Sequence, residues 1–151
     1  MVRMEKSIVI NAPPEKVWKL LAFDRQTEWD VELQKRLKSL EYTSEVNTPE
    51  DKYRVGATAH VDLKGMGMGE IDSEITESIK NEKFTFRSPR FSMIMTYILE
   101  PLEDGTRFTN VLDYEIPWGI FGKIFDKLFA QRVSKEAMEK SSENLKNILE
   151  K

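Results

Sequence analysis

The sequence predicts an α+β domain: a curved antiparallel β-sheet of about seven strands, two short helices after the first strand, and a long C-terminal helix. Three observations carry this. A short alternating strand is followed at once by a proline-led helical segment. Between Gln34 and Ile116 the apolar period is two, broken by turn residues at hairpin spacing. From about Ile120 to Glu150 the period returns to helical, and no proline follows Pro117.

Each element has its own warrant. Met4, Ile8 and Ile10 share one side of the first strand. In "NAPPEKVWKLLAF", Pro13 and Pro14 suit a helix first turn, where a missing N–H costs nothing. Val17, Leu20 and Leu21 follow at helical spacing, and a second helical stretch is expected from Asp24, as its cap, through Trp29. Six strands are then expected at about 35–45, 55–64, 69–79, 83–88, 92–100 and 106–116. The segments "NTPED", "KGMGMG", "KNEK", "SPR" and "EDGT" separate them. Short connections of this kind make the sheet antiparallel. Ala57, Ala59, Val61 and Leu63 oppose Thr58, His60, Asp62 and Lys64; Phe84 and Phe86 oppose Thr85 and Arg87. Phe91, Met93, Met95, Tyr97 and Leu99 form one apolar face, and Phe108, Leu112, Tyr114 and Ile116 another. Such a sheet has one wet side and one apolar side. The final helix carries a stripe of Phe121, Phe125, Leu128, Val133, Ala137, Ser141, Leu145 and Ile148.

Composition narrows the function. The 151 residues argue for one domain spanning 1–151. There is no cysteine, which excludes disulfides, thiolate metal sites and cysteine nucleophiles and fits a reducing, cytoplasmic setting. A net charge of −3 with mixed signs argues against nucleic acid, which needs a basic face. "MVRMEKSIVI" has charges inside its apolar run and does not read as a signal peptide, and no stretch is apolar enough to span a bilayer.

Candidate chemistry is sparse. His60, the single histidine, falls on the polar strand face with no metal-spaced partners, so neither a metal site nor a serine triad is expected. "GMGMG" (Gly65–Gly69) lacks dinucleotide spacing and precedes a strand, so it reads as a hairpin tip. The i,i+2 acids Asp72/Glu74 and Asp113/Glu115 are expected to point to water. No catalytic residue and no cofactor is assigned. Met93, Met95 and Tyr97 suit either plain core or an adaptable pocket wall. Tyr97 and Tyr114 bring hydroxyls inward, where each wants a partner. Arg132 suits either a surface ion pair or an anchor for a carboxylate or phosphate head. "IPWGIFGKIFDKLF" (Ile116–Phe129) holds more apolar residues than one helical stripe can bury, so it reads as both cavity wall and rim.

The segment "IVINAPPEKVWKLLAFDRQTEW", with Val17-Trp18 and then Trp29, resembles the opening of the polyketide cyclase/dehydrase and lipid-transport superfamily. "VGA" (Val55–Ala57), "DGTRFT" (Asp104–Thr109) and the closing "ENLKNILEK" match its pattern, so the resemblance covers essentially the whole chain. Many relatives carry proline shortly after the Trp29 position; here Asp30-Val31-Glu32 follows. The resemblance implies the helix-grip fold of START domains and the birch pollen allergen, in which the sheet wraps the long helix and encloses a cavity. Members bind lipids, sterols or polyketides, and some are cyclases or aromatases. On this basis the expected cavity wall comprises Trp29, Val61, Leu63, Phe84, Phe86, Met93, Met95, Tyr97, Tyr114, Trp118, Phe121 and Phe125, with Arg132 as the candidate anchor. The expected partner is a small hydrophobic ligand, exchanged with or without transient membrane-surface contact, and the chain is expected to be a monomer or weak homodimer. A polyketide cyclase-like enzyme and a protein-interaction module with a collapsed cavity are the rival readings.

Overall fold

The structure is a computed structural model that describes residues 2–64, 69–115 and 131–151, without the side chain of Phe91. Its sheet contains seven strands: β1 (Val2–Ile10), β2 (Leu37–Tyr42), β3 (Thr58–Leu63), β4 (Glu70–Ile79), β5 (Lys83–Ser88), β6 (Met93–Leu102) and β7 (Gly105–Tyr114). Their spatial order is β1-β7-β6-β5-β4-β3-β2 with every neighbouring pair antiparallel, so the chain's first strand pairs with its last. The helices are α1 (Pro14–Trp18), α2 (Val31–Arg36) and α3 (Gln131–Leu149).

The expected α+β helix-grip architecture is present. Met138 of α3 packs with Leu112, Tyr114, Met4, Met93 and Met95, the inward residues of β7, β1 and β6. Leu145 joins the larger core with Ile10, Val17, Trp29, Phe84, Tyr97 and Phe108. The aromatic rings of that core are mutually arranged edge-on or stacked, such as Trp18 over Tyr53 at 5.1 Å and Trp29 against Tyr97 at 5.5 Å.

Two boundaries differ from the sequence reading for clear reasons. The cap of the second helix is Asp30, not Asp24. Asp30 is extended, and its Oδ1 accepts from the backbone N–H of Glu32 at 3.0 Å and of Leu33 at 3.1 Å. Residues 26–28 form only a 3₁₀ turn, and helix occupies 31–36, where strand was expected from residue 35. Asp24 instead binds the Tyr42 hydroxyl and the Lys52 ammonium. The strand expected from Val55 begins at Thr58, because Gly56 takes φ +92° and turns the chain. A side chain at Gly105 would bring Cβ within 2.2 Å of the Ile10 carbonyl oxygen; glycine alone allows the β6–β7 turn to lie there.

The stripe on α3 holds at Ser141 and Leu145, which are buried, and at Ala137 and Ile148, which are half-buried, but Val133 is exposed. Met138 and Ser142 join it, so that Met138, Ser141, Ser142 and Leu145 are buried at i, i+3, i+4 and i+7. No helix among the described residues is long and apolar enough to cross a membrane. Met66 and Met68 of the "GMGMG" tip, and the segment Ile116–Phe129 with its Trp118, Phe121, Phe125 and Leu128, lie outside the described residues.

Candidate ligand site

The inner face of the sheet is built by strand parity. Val61, Leu63, Phe84, Phe86, Tyr97 and Tyr114 are buried there, as expected, while Met93 and Met95 are half-buried on the same face. Trp29 is fully buried, donating from Nε1 to the Leu20 carbonyl at 2.7 Å, with its ring against Tyr97 and Phe108. Arg132, the candidate anchor, is exposed on α3.

The outer face disposes of the expected surface groups. His60 Nδ1 lies 2.7 Å from Asp72, and this hydrogen bond raises its pKa above the ordinary histidine value. Glu74 pairs with Arg87 at 2.9 Å, and Asp113 with Arg3 at 2.9 Å. A shallow depression of about 270 Å³ on this side is lined by Thr43, Thr58, Asp72, Ser73, Glu74, Arg87 and Pro89. Among the described residues no cluster of His, Cys, Asp or Glu could hold a metal ion.

What the sequence reading missed is polar and interior. Asn110 stands between Phe108 and Leu112 at inward parity on β7, opposite Tyr97 of β6, and is 3% exposed. Among the described residues its Oδ1 accepts no hydrogen bond. Ser142 stands between Met138 and Leu145 on the buried side of α3, is 1% exposed, and among the described residues its Oγ has no partner. The two therefore occupy corresponding levels of the strand and the helix that enclose the interior: Met138 meets Leu112 at one end, and Leu145 lies in the core with Phe108 at the other.

A third group closes the set. α3 clamps the turn after Trp29: the Val31 N–H donates to Ser141 Oγ at 3.0 Å, and Asn144 Nδ2 donates to the Trp29 carbonyl at 3.3 Å. This holds Asp30 close enough to Tyr97 for its charge to help burial raise the tyrosine's pKa. Asp30 keeps some solvent access as a residue, but its carboxyl is set deep in protein. Burial pushes its pKa up to about 6, against the opposing pull of the Leu33 and Glu32 amides.

Asn110 was detectable in principle as a polar residue interrupting an apolar alternation. Ser142 and Asp30 were not, because each needed the correct helix rotation or cap.

The interior thus combines an aromatic wall with a few convergent polar groups, the composition typical of small-molecule sites. Residues 1–150 match the family model described as polyketide cyclase / dehydrase and lipid transport. The chain belongs to that family. Solved structures of the same fold include the protein TTHA0849 from Thermus thermophilus, 23% identical, with a TM-score of 0.70 over 97% of this chain and 95% of that one. BH1534 from Bacillus halodurans is 18% identical, with a TM-score of 0.71 over 99% and 97%. The Aha1 dimer from Colwellia psychrerythraea is 20% identical, with a TM-score of 0.60 over 99% and 96%. At these identities the likeness concerns the fold alone. No curated protein matches this sequence.

Proposed function

We propose that this member of the polyketide cyclase / dehydrase and lipid transport family binds a small apolar molecule between the inner sheet face and α3, as a carrier or sensor. The observation that supports this best is the pair of unpartnered polar atoms, Asn110 Oδ1 and Ser142 Oγ, buried within an otherwise apolar lining. A buried polar group without a partner costs about 1–3 kcal/mol. A guest that bonds them recovers that cost while its apolar body gains about 25 cal/mol per Å² of buried surface, before association costs. Native mass spectrometry of freshly purified protein tests the reading, together with titration by Nile red, a neutral environment-sensitive dye. A co-purified apolar ligand, or saturable dye uptake in the micromolar range, is expected. Absence of both, with a concentration-dependent oligomer in sedimentation, would favour the interaction-module reading instead.

One observation favours a second reading, an enzyme acting by proton transfer on a polyketide-like substrate. Such an enzyme needs an ionisable group facing the interior. Asp30, beside Tyr97 and with its pKa pushed up to about 6, is suited to accept a proton near neutral pH. Turnover would then rise with pH through an apparent pKa near 6, and Asp30→Asn would abolish it while leaving dye uptake intact.

A further inference from the structure

Two polar groups inside the fold can accept a hydrogen bond from a guest: Asn110 through its unpartnered Oδ1, and Ser142. Asp30 spends one carboxylate oxygen on the Glu32 and Leu33 amides. The hydroxyl of Ser142 can give or receive. Trp29 against Tyr97, and Tyr97 opposite Asn110 in the β6–β7 register, tie these groups to one region of the interior.

Among the described residues, the cations of the neighbouring segments are paired or exposed. Lys6, opposite Asn110 in the β1–β7 register and on the inward side of β1, turns its ammonium to Glu139 of α3 at 3.2 Å. Glu32, next to the Asp30 cap, is paired with Arg36 at 3.1 Å. Arg132 is exposed. A buried carboxylate head would therefore meet acceptors, and to gain a cation among the described residues it would have to break one of these pairs or draw in the exposed arginine.

We propose that the interior takes an apolar molecule with an uncharged hydrogen-bond-donating head, an alcohol in its simplest form, whose hydroxyl donates to Asn110 Oδ1 and is met by Ser142 Oγ. The same chain headed by a carboxylate, or by a carbonyl that can accept from Ser142 but gives nothing to Asn110 Oδ1, binds more weakly. This rests on the reading of the interior as a ligand site.

The test is displacement of Nile red at pH 7.5 by three molecules of equal chain length: decan-1-ol, decan-2-one and decanoate. The alcohol is expected to displace the dye at about tenfold lower concentration than either of the others, the effect of one hydrogen bond of ordinary net strength. Ser142→Ala should shrink that preference several-fold, and Asn110→Leu should remove it while keeping dye uptake. Circular dichroism of both variants checks that they fold; Ser142→Ala, the smaller change, decides the matter where Asn110→Leu does not fold. Dye uptake with no alcohol preference, or a preference unchanged in Ser142→Ala, would overturn the head-group assignment and leave the ligand reading standing. No dye uptake and no displacement by any of the three would overturn both.

Discussion

Two pairs of polar side chains lie buried on the inner side of this molecule, and they behave oppositely. Ser73 of β4 and Ser88 of β5 face each other across the sheet and share a hydrogen bond of 2.9 Å. Asn110 of β7 and Ser142 of α3 are equally buried, yet each leaves an oxygen unbonded. The first pair is complete within the protein, so its burial says nothing about function. The second is incomplete, and the incompleteness is what points to a guest. Burial of a polar group and lack of a partner are separate signals, and only the second carries the functional argument here.

Mutations can break or sharpen this contrast. The largest effect is expected where the Asn110 side of the molecule is anchored. Trp29→Ala removes a fully buried ring and the Nε1 bond to Leu20, and should cost about 3–5 kcal/mol in denaturant unfolding. It should also abolish dye uptake, because the Asp30 turn is held beside Tyr97 through that ring.

Next comes a pH effect. Asp30 has a folded pKa above its unfolded value, so its contribution to stability is full below about pH 4 and is lost as pH rises through about 6. The shift corresponds to at most about 3 kcal/mol. Asp30→Asn keeps a capping oxygen and removes the titration. The stability of wild type minus that of Asp30→Asn should therefore fall between pH 4 and pH 7.5, read by urea unfolding at each pH; a flat difference would mean the carboxyl is better solvated than its position implies.

The serines give the most direct comparison. Ser73→Ala strands the Ser88 hydroxyl and should destabilise by about 1–3 kcal/mol. Ser142→Ala removes a hydroxyl that has no partner and places a better helix former in α3, so ligand-free protein should be stabilised by about 0.5–1 kcal/mol. Equal losses in the two variants would erase the distinction between the pairs. The smallest effect belongs to the outer face: His60→Ala should leave the melting temperature and dye uptake unchanged, since its ring pairs at the surface with Asp72 and Glu70.

The sheet was legible because its signal is local. Val61, Leu63, Phe84, Phe86 and Tyr97 alternate with polar residues, and parity alone assigns their side. The outward placement of His60 followed from the same rule. The α3 face was harder. The stripe holds at Ser141 and Leu145 but takes in the exposed Val133 and omits Met138 and Ser142, because a helical period spreads its evidence over several turns. Of the two readings open for Arg132, surface group or interior anchor, its exposure fits the first. The Asp30 site was the least legible. Asp24 and Asp30 are both plausible caps by type, and only the packing of α3 on the Trp29–Val31 turn distinguishes them.

The pairing of β1 with β7 bears on how the protein is made. Val2 aligns with Tyr114 and Ile10 with Thr106, so the first strand to leave the ribosome meets its neighbour only after roughly a hundred further residues are synthesised. At typical elongation rates of about 5–20 residues per second that delay is on the order of 5–20 s. The hairpins from β2 to β7 can form as they emerge, but β1 must wait with Ile8 and Ile10 uncovered. Replacement of Gly105 at the turn beside Ile10, which both slows the closure of β7 onto β1 and strains the folded turn, should therefore lower soluble yield in the cell as well as the stability of the protein that does fold.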